Sequence, residues 1–176
     1  NDTITLNNGT NSLVAGAGTD TIFAYSGTNT ISADDGDDTI TLSNGTNSVM
    51  AGSGADTITI ARGTNAIDAG TEDDTITSAS GTNTIQAGEG QDNVILNGGD
   101  NTVFGASGAD SITANNGTNV IDAGTENDTI TAASGNNTIT AGEGNDTIRL
   151  NNGTNSVLAG LGVDTITVTS GTNTVD

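Results

Sequence analysis

The chain has 176 residues and a formal net charge of −20, from 22 acidic and two basic residues, and it contains no His, Cys, Pro or Trp. This charge disfavours binding to nucleic acid or to an anionic membrane, and the absence of His, Cys and Lys removes the usual groups for acid–base and nucleophilic catalysis. An enzyme is therefore not expected. No run of 18 apolar residues is present, so membrane insertion is not expected either.

The whole sequence is one 18-residue repeat. When Ala15 is taken as coil position 1, nine full coils run to Asp176, and residues 1–14 fill positions 5–18 of a partial first coil. Position 8 is always Ile or Val, position 17 is always Leu, Ile or Val, and position 13 is always Gly. We therefore predict one continuous domain, residues 1–176, without a linker or an insertion.

Each coil consists of two similar nine-residue halves. Nine residues are too few for a helix with its connections, so each half is predicted to contain a strand of about three residues and a turn of about six. Side chains alternate along a strand, which places positions 6, 8 and 10 inside and positions 7 and 9 outside. The sequence thus predicts an all-β fold, a parallel β-roll or β-solenoid of about ten coils with two parallel sheets, stacked at about 4.8 Å per coil.

Position 6 is Asp in every coil and forms the candidate metal site. Carboxylates stacked about 4.8 Å apart repel by roughly 3 kcal/mol at an effective dielectric near 20, so the column needs protons or a cation. Calcium binds carboxylate and carbonyl oxygens, and glycines at positions 2 and 4 let carbonyl groups turn toward an ion. The alternative is that each Asp only caps a tight turn. The column consists of Asp2, Asp20, Asp38, Asp56, Asp74, Asp92, Asp110, Asp128, Asp146 and Asp164.

Segments that begin at Ala15, Ala51 and Ala141 read AGAGTDTIF, AGSGADTIT and AGEGNDTIR. They resemble the nonapeptide G-G-x-G-x-D-x-(apolar)-x of the RTX (repeats-in-toxin, hemolysin-type) family. The resemblance implies a parallel β-roll that binds several calcium ions between successive turns, with the position-6 aspartates and the carbonyls of their turns as ligands. The first glycine of that motif is usually Ala here.

Three acidic residues depart from the glycine pattern of these turns. Glu72 and Glu126 replace the glycine at position 4 in two coils, and Asp34 replaces the glycine at position 2 in another. We expect the turns with Glu to bend differently or to add a ligand.

The other half of each coil has Asn where the first half has Asp. An amide side chain has no charge and two N–H donors, so we predict an asparagine ladder that is bonded along the stack without metal. The alternative is calcium bound through the Asn oxygens. With the ladder, the rod should have one wet, ionic edge with calcium and one neutral, hydrogen-bonded edge. The Asn column consists of Asn11, Asn29, Asn47, Asn65, Asn83, Asn101, Asn119, Asn137, Asn155 and Asn173.

The outward positions carry two further patterns. Thr recurs at positions 7 and 9, and these two rows resemble the Thr-x-Thr surface of β-solenoid antifreeze proteins, although Thr is also common in any exposed strand. Position 18 is apolar at Val14, Met50, Phe104 and Leu158, and it is Asp at Asp68, Asp122 and Asp176, which recur every 54 residues. This 54-residue period indicates either lateral packing between rods or the duplication of a three-coil block.

These observations lead to one main expectation about function and two alternatives. The main expectation is a non-enzymatic, extracellular or cell-surface structural repeat of a secreted bacterial protein, such as a filament, an adhesin stalk or a surface-layer segment, folded and rigidified by calcium. Its partners would be calcium and copies of itself, end to end or side by side. The alternatives are an ice-binding solenoid and, from the family resemblance, a secretion or folding repeat region of a larger type I-secreted toxin or enzyme.

Overall fold

The computed structural model describes all 176 residues and consists only of strands and turns. None of the chain forms a helix of the length and apolarity that membrane crossing requires. In chain order the strands are β1 (Thr3–Leu6), β2 (Thr10–Val14), β3 (Thr21–Ala24), β4 (Thr28–Asp35), β5 (Thr39–Leu42), β6 (Thr46–Ser53), β7 (Thr57–Ile60), β8 (Thr64–Thr71), β9 (Thr75–Ser78), β10 (Thr82–Glu89), β11 (Asn93–Leu96), β12 (Asp100–Ser107), β13 (Ser111–Ala114), β14 (Thr118–Thr125), β15 (Thr129–Ala132), β16 (Asn136–Glu143), β17 (Thr147–Leu150), β18 (Thr154–Leu161), β19 (Thr165–Val168) and β20 (Thr172–Val175).

The strands form two ten-stranded parallel sheets, one from the odd-numbered strands and one from the even-numbered strands. Each strand pairs with the equivalent strand of the next coil, so that Thr57 lies opposite Thr75 in one sheet and Asn65 opposite Asn83 in the other. Every partner is 18 residues away, and each column of the repeat therefore becomes a straight row along the rod. The predicted all-β parallel solenoid of about ten coils with two sheets is confirmed.

The two halves of a coil differ in strand length, which the sequence did not indicate. The odd-numbered strands have four residues, whereas β4 and the even-numbered strands up to β18 have eight. The longer strands continue through position 1 because the inward alternation of Asn, an apolar residue and Ala is unbroken there, as at Asn65, Ile67 and Ala69. The prediction of equal strands of about three residues is therefore wrong.

The core is a single file of small and branched side chains between the two sheets. One coil contributes Ile58 and Ile60 from β7 and Ile67 and Ala69 from β8, all at most 4 % exposed. The same four positions repeat along the rod, and their 30 buried residues form one cluster. Burial of an Ile or Leu side chain contributes about 1.5–3 kcal/mol, so each coil is stabilised mainly by the coils next to it.

The outward rows lie where the alternation places them. In β7 the two Thr residues are exposed and the two Ile residues are buried. At position 18, Met50, Phe104 and Leu158 are 55 %, 42 % and 50 % exposed. These side chains are available for contact with another molecule, and self-association remains a prediction.

The turns that precede the odd-numbered strands stack so closely that their glycines touch. Gly54 has a φ of 124°, and a β-carbon placed on it would lie 2.5 Å from the carbonyl oxygen of Gly36 in the preceding coil. At the same position Glu72 and Glu126 have φ values of 80° and 77°, and at position 2 Asp34 has 77°. All three residues stay in the left-handed region, but the φ of both Glu residues lies well below the 121–149° of the glycines at position 4. The turns with Glu therefore bend differently, as expected.

The tight stacking predicts a difference between two glycine substitutions. Gly54→Ala is expected to lower the free energy of unfolding by about 1–3 kcal/mol, because the left-handed backbone is strained for Ala and the new methyl group meets Gly36. Gly98→Ala is the matched control, since Gly98 lacks a positive φ and its β-carbon would meet only the carbonyl oxygen of Ala79, at 3.4 Å. Urea titration in calcium measures both; equal stabilities would contradict the contact.

Candidate metal centre

The position-6 aspartates lie at the turn that leads from each even-numbered strand into the next odd-numbered strand. We name the row of these turns the Asp edge. Asp20 and the aspartates that follow at 18-residue intervals up to Asp146 are only 1–2 % exposed, while Asp164 is half-buried and Asp2 is exposed. Their side chains point inward because positions 6, 8 and 10 share one face of the strand. The carboxylates stack in a column as predicted, and their role as metal ligands stays a prediction. The expectation of a wet edge is wrong, because the carboxylates are inside the rod.

One oxygen of each carboxylate is bonded to the neighbouring coil. The backbone N–H of Asp38 donates to Oδ1 of Asp56 at 2.7 Å, and the backbone N–H of Asp56 donates to Oδ1 of Asp74 at 2.8 Å. Nine such bonds run from Asp2 to Asp164. Each Asp thus links its turn to the turn before it, which a simple capping role within one turn would not do.

The second oxygen of the same carboxylates has no hydrogen-bond partner. A buried polar atom left without a partner costs about 1–3 kcal/mol, and a charged group costs more. The eight buried carboxylates therefore need a proton or a cation at this oxygen. The atoms concerned are Oδ2 of Asp20, Asp38, Asp56, Asp74, Asp92, Asp110, Asp128 and Asp146.

The same burial changes the acidity of the column. Removal from water raises the pKa of Asp56 to about 6 and those of Asp74, Asp110 and Asp128 to about 7, although the bond from the neighbouring backbone N–H acts in the opposite direction. Repulsion from the next aspartate in the column raises the pKa of Asp74 further. Without a cation, the middle of the Asp edge therefore binds protons near neutral pH.

The donor set of the Asp edge fits calcium. All the available groups are carboxylate and carbonyl oxygens, which are the ligands of a hard cation, and calcium takes six to eight of them. The acidic side chains stand in file, and at no point do three of them converge. An ion between two coils would therefore combine the position-6 aspartates of those coils with carbonyl oxygens of their turns.

Other acidic side chains near these turns accept hydrogen bonds from backbone N–H groups. Asp37 accepts the N–H of Ala55 at 3.0 Å, and Asp73 accepts the N–H of Gln91 at 2.7 Å, each one coil away. The carboxylate of Glu126 accepts the backbone N–H of Gly108 at 2.8 Å, and this bond together with the Thr125 hydroxyl lowers the pKa of Glu126. The suggested additional ligand at Glu126 is thus a hydrogen-bond acceptor here. The sequence analysis missed these contacts, because each of them joins two coils.

The opposite row of turns, which we name the Asn edge, is hydrogen-bonded throughout. Nδ2 of Asn47 donates to Oδ1 of Asn65 at 2.7 Å, and Nδ2 of Asn65 donates to Oδ1 of Asn83 at 2.7 Å. Nine such bonds connect all ten asparagines. Asn65 and most of the others also donate to the carbonyl oxygen three residues earlier, at up to 3.5 Å. The predicted asparagine ladder is confirmed, and no buried side-chain nitrogen or oxygen of this edge lacks a hydrogen-bond partner.

Comparison with known proteins agrees with this geometry. The family model described as RTX calcium-binding nonapeptide repeat (4 copies) matches residues 1–22, 23–58, 61–94, 95–130 and 131–166. No curated protein matches the sequence. Because the matched segments cover nearly the whole solenoid, including nearly every turn of the Asp edge, the chain belongs to the RTX calcium-binding nonapeptide repeat family.

Proposed function

We propose that this chain is an extracellular, non-enzymatic structural rod whose folding is coupled to calcium binding along the Asp edge. One observation carries the proposal: eight buried carboxylate oxygens stand in file without a hydrogen-bond partner. A row of calcium ions supplies the missing positive charge at each of these atoms. The ligands would be the position-6 aspartates, from Asp2 to Asp164, together with carbonyl oxygens of their turns.

In this proposal, the calcium concentration of the surroundings decides whether the chain folds. Where calcium is scarce, the buried carboxylates repel one another and stay uncompensated, so the chain with its net charge of −20 remains loose. Where calcium is abundant, binding to the folded state alone stabilises that state by mass action. A protein that folds only after export has use for such a dependence, which supports a location outside the cell.

The two edges divide the work of holding the coils together. The Asn edge needs no ion, because each amide is bonded to the amide of the next coil. On the Asp edge, one oxygen of each buried carboxylate accepts a backbone N–H from the neighbouring coil, and the other oxygen has no partner. Calcium is therefore required on one edge only, and the result is a stiff rod suited to a stalk, a fibre or a surface layer.

The proposal is tested on the full chain at pH 8. We expect circular dichroism to show little β structure in excess chelator and a cooperative gain when calcium is added, with equilibrium dialysis giving several ions per chain. Magnesium is the control cation, because it demands a stricter octahedral geometry and keeps its water. A chain that is fully folded in chelator at pH 8 and unchanged by calcium would contradict the proposal.

A single substitution on the Asp edge should separate charge from hydrogen bonding. Asp56→Asn retains an oxygen that accepts the N–H of Asp38 but removes the buried charge. We expect fewer calcium ions per chain and a higher stability in chelator at pH 8. Asp68→Asn is the control, because Asp68 is acidic but exposed on the outer face. The same loss of ions in both variants would show that calcium binding depends on the net negative charge of the chain and not on the buried column.

Ice binding is a second candidate, and the straight Thr rows favour it. Thr39, Thr57 and Thr75 stand opposite one another at the same position of successive strands, with outward side chains on a regular sheet. Phe23, Ile95 and Arg149 interrupt the neighbouring row. Thermal hysteresis of the calcium-loaded chain tests this candidate, and its absence would remove it without affecting calcium binding.

A further inference from the structure

One turn of the Asp edge differs from the others in its first residue. Coil position 1 is Ala in eight of the nine full coils and Gly only at Gly105. The order of the two small residues is reversed at this turn, since Gly105 and Ala106 stand where most coils have Ala followed by Gly. The turn from Gly105 to Asp110 is therefore the one full turn of the Asp edge without an inward methyl group.

The space of that missing methyl group is taken by oxygen atoms. Elsewhere the position-1 methyl is part of the core, and Ala51 and Ala69 are 0 % exposed. A β-carbon placed on Gly105 would lie 2.3 Å from Oδ2 of Asp110 and 2.2 Å from the carbonyl oxygen of Ala123 in the next coil. A carbon atom does not approach oxygen so closely. In this coil, the two oxygens therefore extend into the volume that a methyl group fills elsewhere.

Two oxygens that face one small volume need a positive group near them. Asp110 is 2 % exposed, and its Oδ2 has no hydrogen-bond partner. The carbonyl of Ala123 adds a second negative atom, from the following coil, to the same place. Carboxylate and carbonyl oxygens are calcium ligands at about 2.3–2.6 Å, whereas a methyl group in this volume offers no ligand and takes up space.

We propose that Gly105 makes the turn at Asp110 the tightest calcium site of the array and the first to fill. The inference rests on the proposed function, since it ranks sites on the same edge. Asp110 lies in an inner coil, with stacked coils on both sides. Because coils are stabilised mainly by their neighbours, an ion held there orders the adjacent turns, and filling then spreads in both directions.

The test is a calcium titration of the full 176-residue chain after calcium depletion, followed by equilibrium dialysis and calorimetry. The parent chain is expected to show one tight site followed by a weaker group. In Gly105→Ala the tight site should weaken by about tenfold or more, with the number of ions at saturation unchanged. Eight other coils hold Ala at this position, so the fold accommodates a methyl group there, although at residue 105 the carbonyl of Ala123 must shift and the variant should lose some stability.

A converse variant keeps the test decisive. Ala51→Gly removes the methyl group from a turn with the usual Gly52 and Gly54, and it should add a second tight site. Circular dichroism at saturating calcium verifies the fold of both variants. Retention of the tight site in Gly105→Ala, or no gain in Ala51→Gly, would overturn the inference. A parent with equal calcium sites overturns this inference alone, whereas a parent that binds no calcium overturns the proposed function as well.

Discussion

In excess chelator, the rod is expected to be more stable at pH 5 than at pH 8. Burial raises the pKa of Asp74, Asp110 and Asp128 to about 7, whereas an Asp in the unfolded chain has a pKa of about 3.9. Between these values the folded state holds more protons than the unfolded state, so the free energy of unfolding falls as the pH rises. The stabilisation is complete below about pH 4 and is lost as the pH passes through about 7. Each affected residue contributes about 1.4 kcal/mol per unit of pKa shift.

Calcium should reverse this order. Calcium needs deprotonated carboxylates, so its stabilising effect grows as the pH rises, and the calcium-loaded rod should be more stable at pH 8 than at pH 5. Circular dichroism gives the folded fraction at the two pH values, each with chelator and with calcium, and urea titration gives the stability of each sample that is folded.

The buried column can be distinguished from general charge repulsion by two variants. Asp74→Asn removes one buried carboxylate and should make the dependence on pH in chelator less steep. Asp122→Asn removes an exposed carboxylate on the outer face and should leave that dependence nearly unchanged. Equal stability of the chelated parent at pH 5 and pH 8 would show that the aspartates are not held as uncompensated buried groups.

Asn65→Asp is expected to destabilise the calcium-loaded rod at pH 8 by about 3 kcal/mol or more. Asn65 is 2 % exposed, accepts a hydrogen bond from Asn47 and donates one to Asn83. An aspartate keeps the acceptor but loses the donor, so that one oxygen of its buried, charged carboxylate faces the side-chain oxygen Oδ1 of Asn83 without a hydrogen bond. At limiting calcium the same loss should unfold a larger fraction of the chain, because the Asp edge contributes least there.

Asn11→Asp is the matched control for this prediction. Asn11 donates to Asn29 at 2.7 Å in the same ladder, but it is only half-buried, so that water solvates the new charge. We expect a loss of about 1 kcal/mol, the typical net contribution of one hydrogen bond. Urea titration compares both variants with the parent. If Asn65→Asp is as stable as the parent, the ladder does not hold the Asn edge together.

The fold could be predicted in detail because the repeat leaves few alternatives. A period of 18 residues with an apolar residue at positions 8 and 17 permits short strands but no helix, and identical columns require identical stacking. The asparagine ladder followed from the chemistry of one residue type, because Asn is both donor and acceptor and can bond to a copy of itself. The charged column followed in the same way from Asp, because an ionised carboxylate has no donor and cannot bond to a copy of itself.

Three features could not be predicted from the residues because they depend on where neighbouring coils stand. The long strands follow from the inward position of Ala69 and its equivalents, which extends the alternation beyond the half-coil. The acidic residues around the turns bond to backbone N–H groups one coil away, and no pattern within a single coil reveals these contacts. The space at Gly105 appears only when the turn is placed against Asp110 and Ala123.

The sequence by itself determined the period, the inward face, and the contrast between one charged and one neutral column, because these depend on residue type and strand alternation alone. Only the tertiary structure decided how completely the inward carboxylates are enclosed and which groups they meet. Stacking brings each carboxylate to the backbone N–H of the coil before it, which binds one oxygen and leaves the other enclosed. The need for a cation therefore arises less from repulsion along an exposed edge than from a buried atom without a partner.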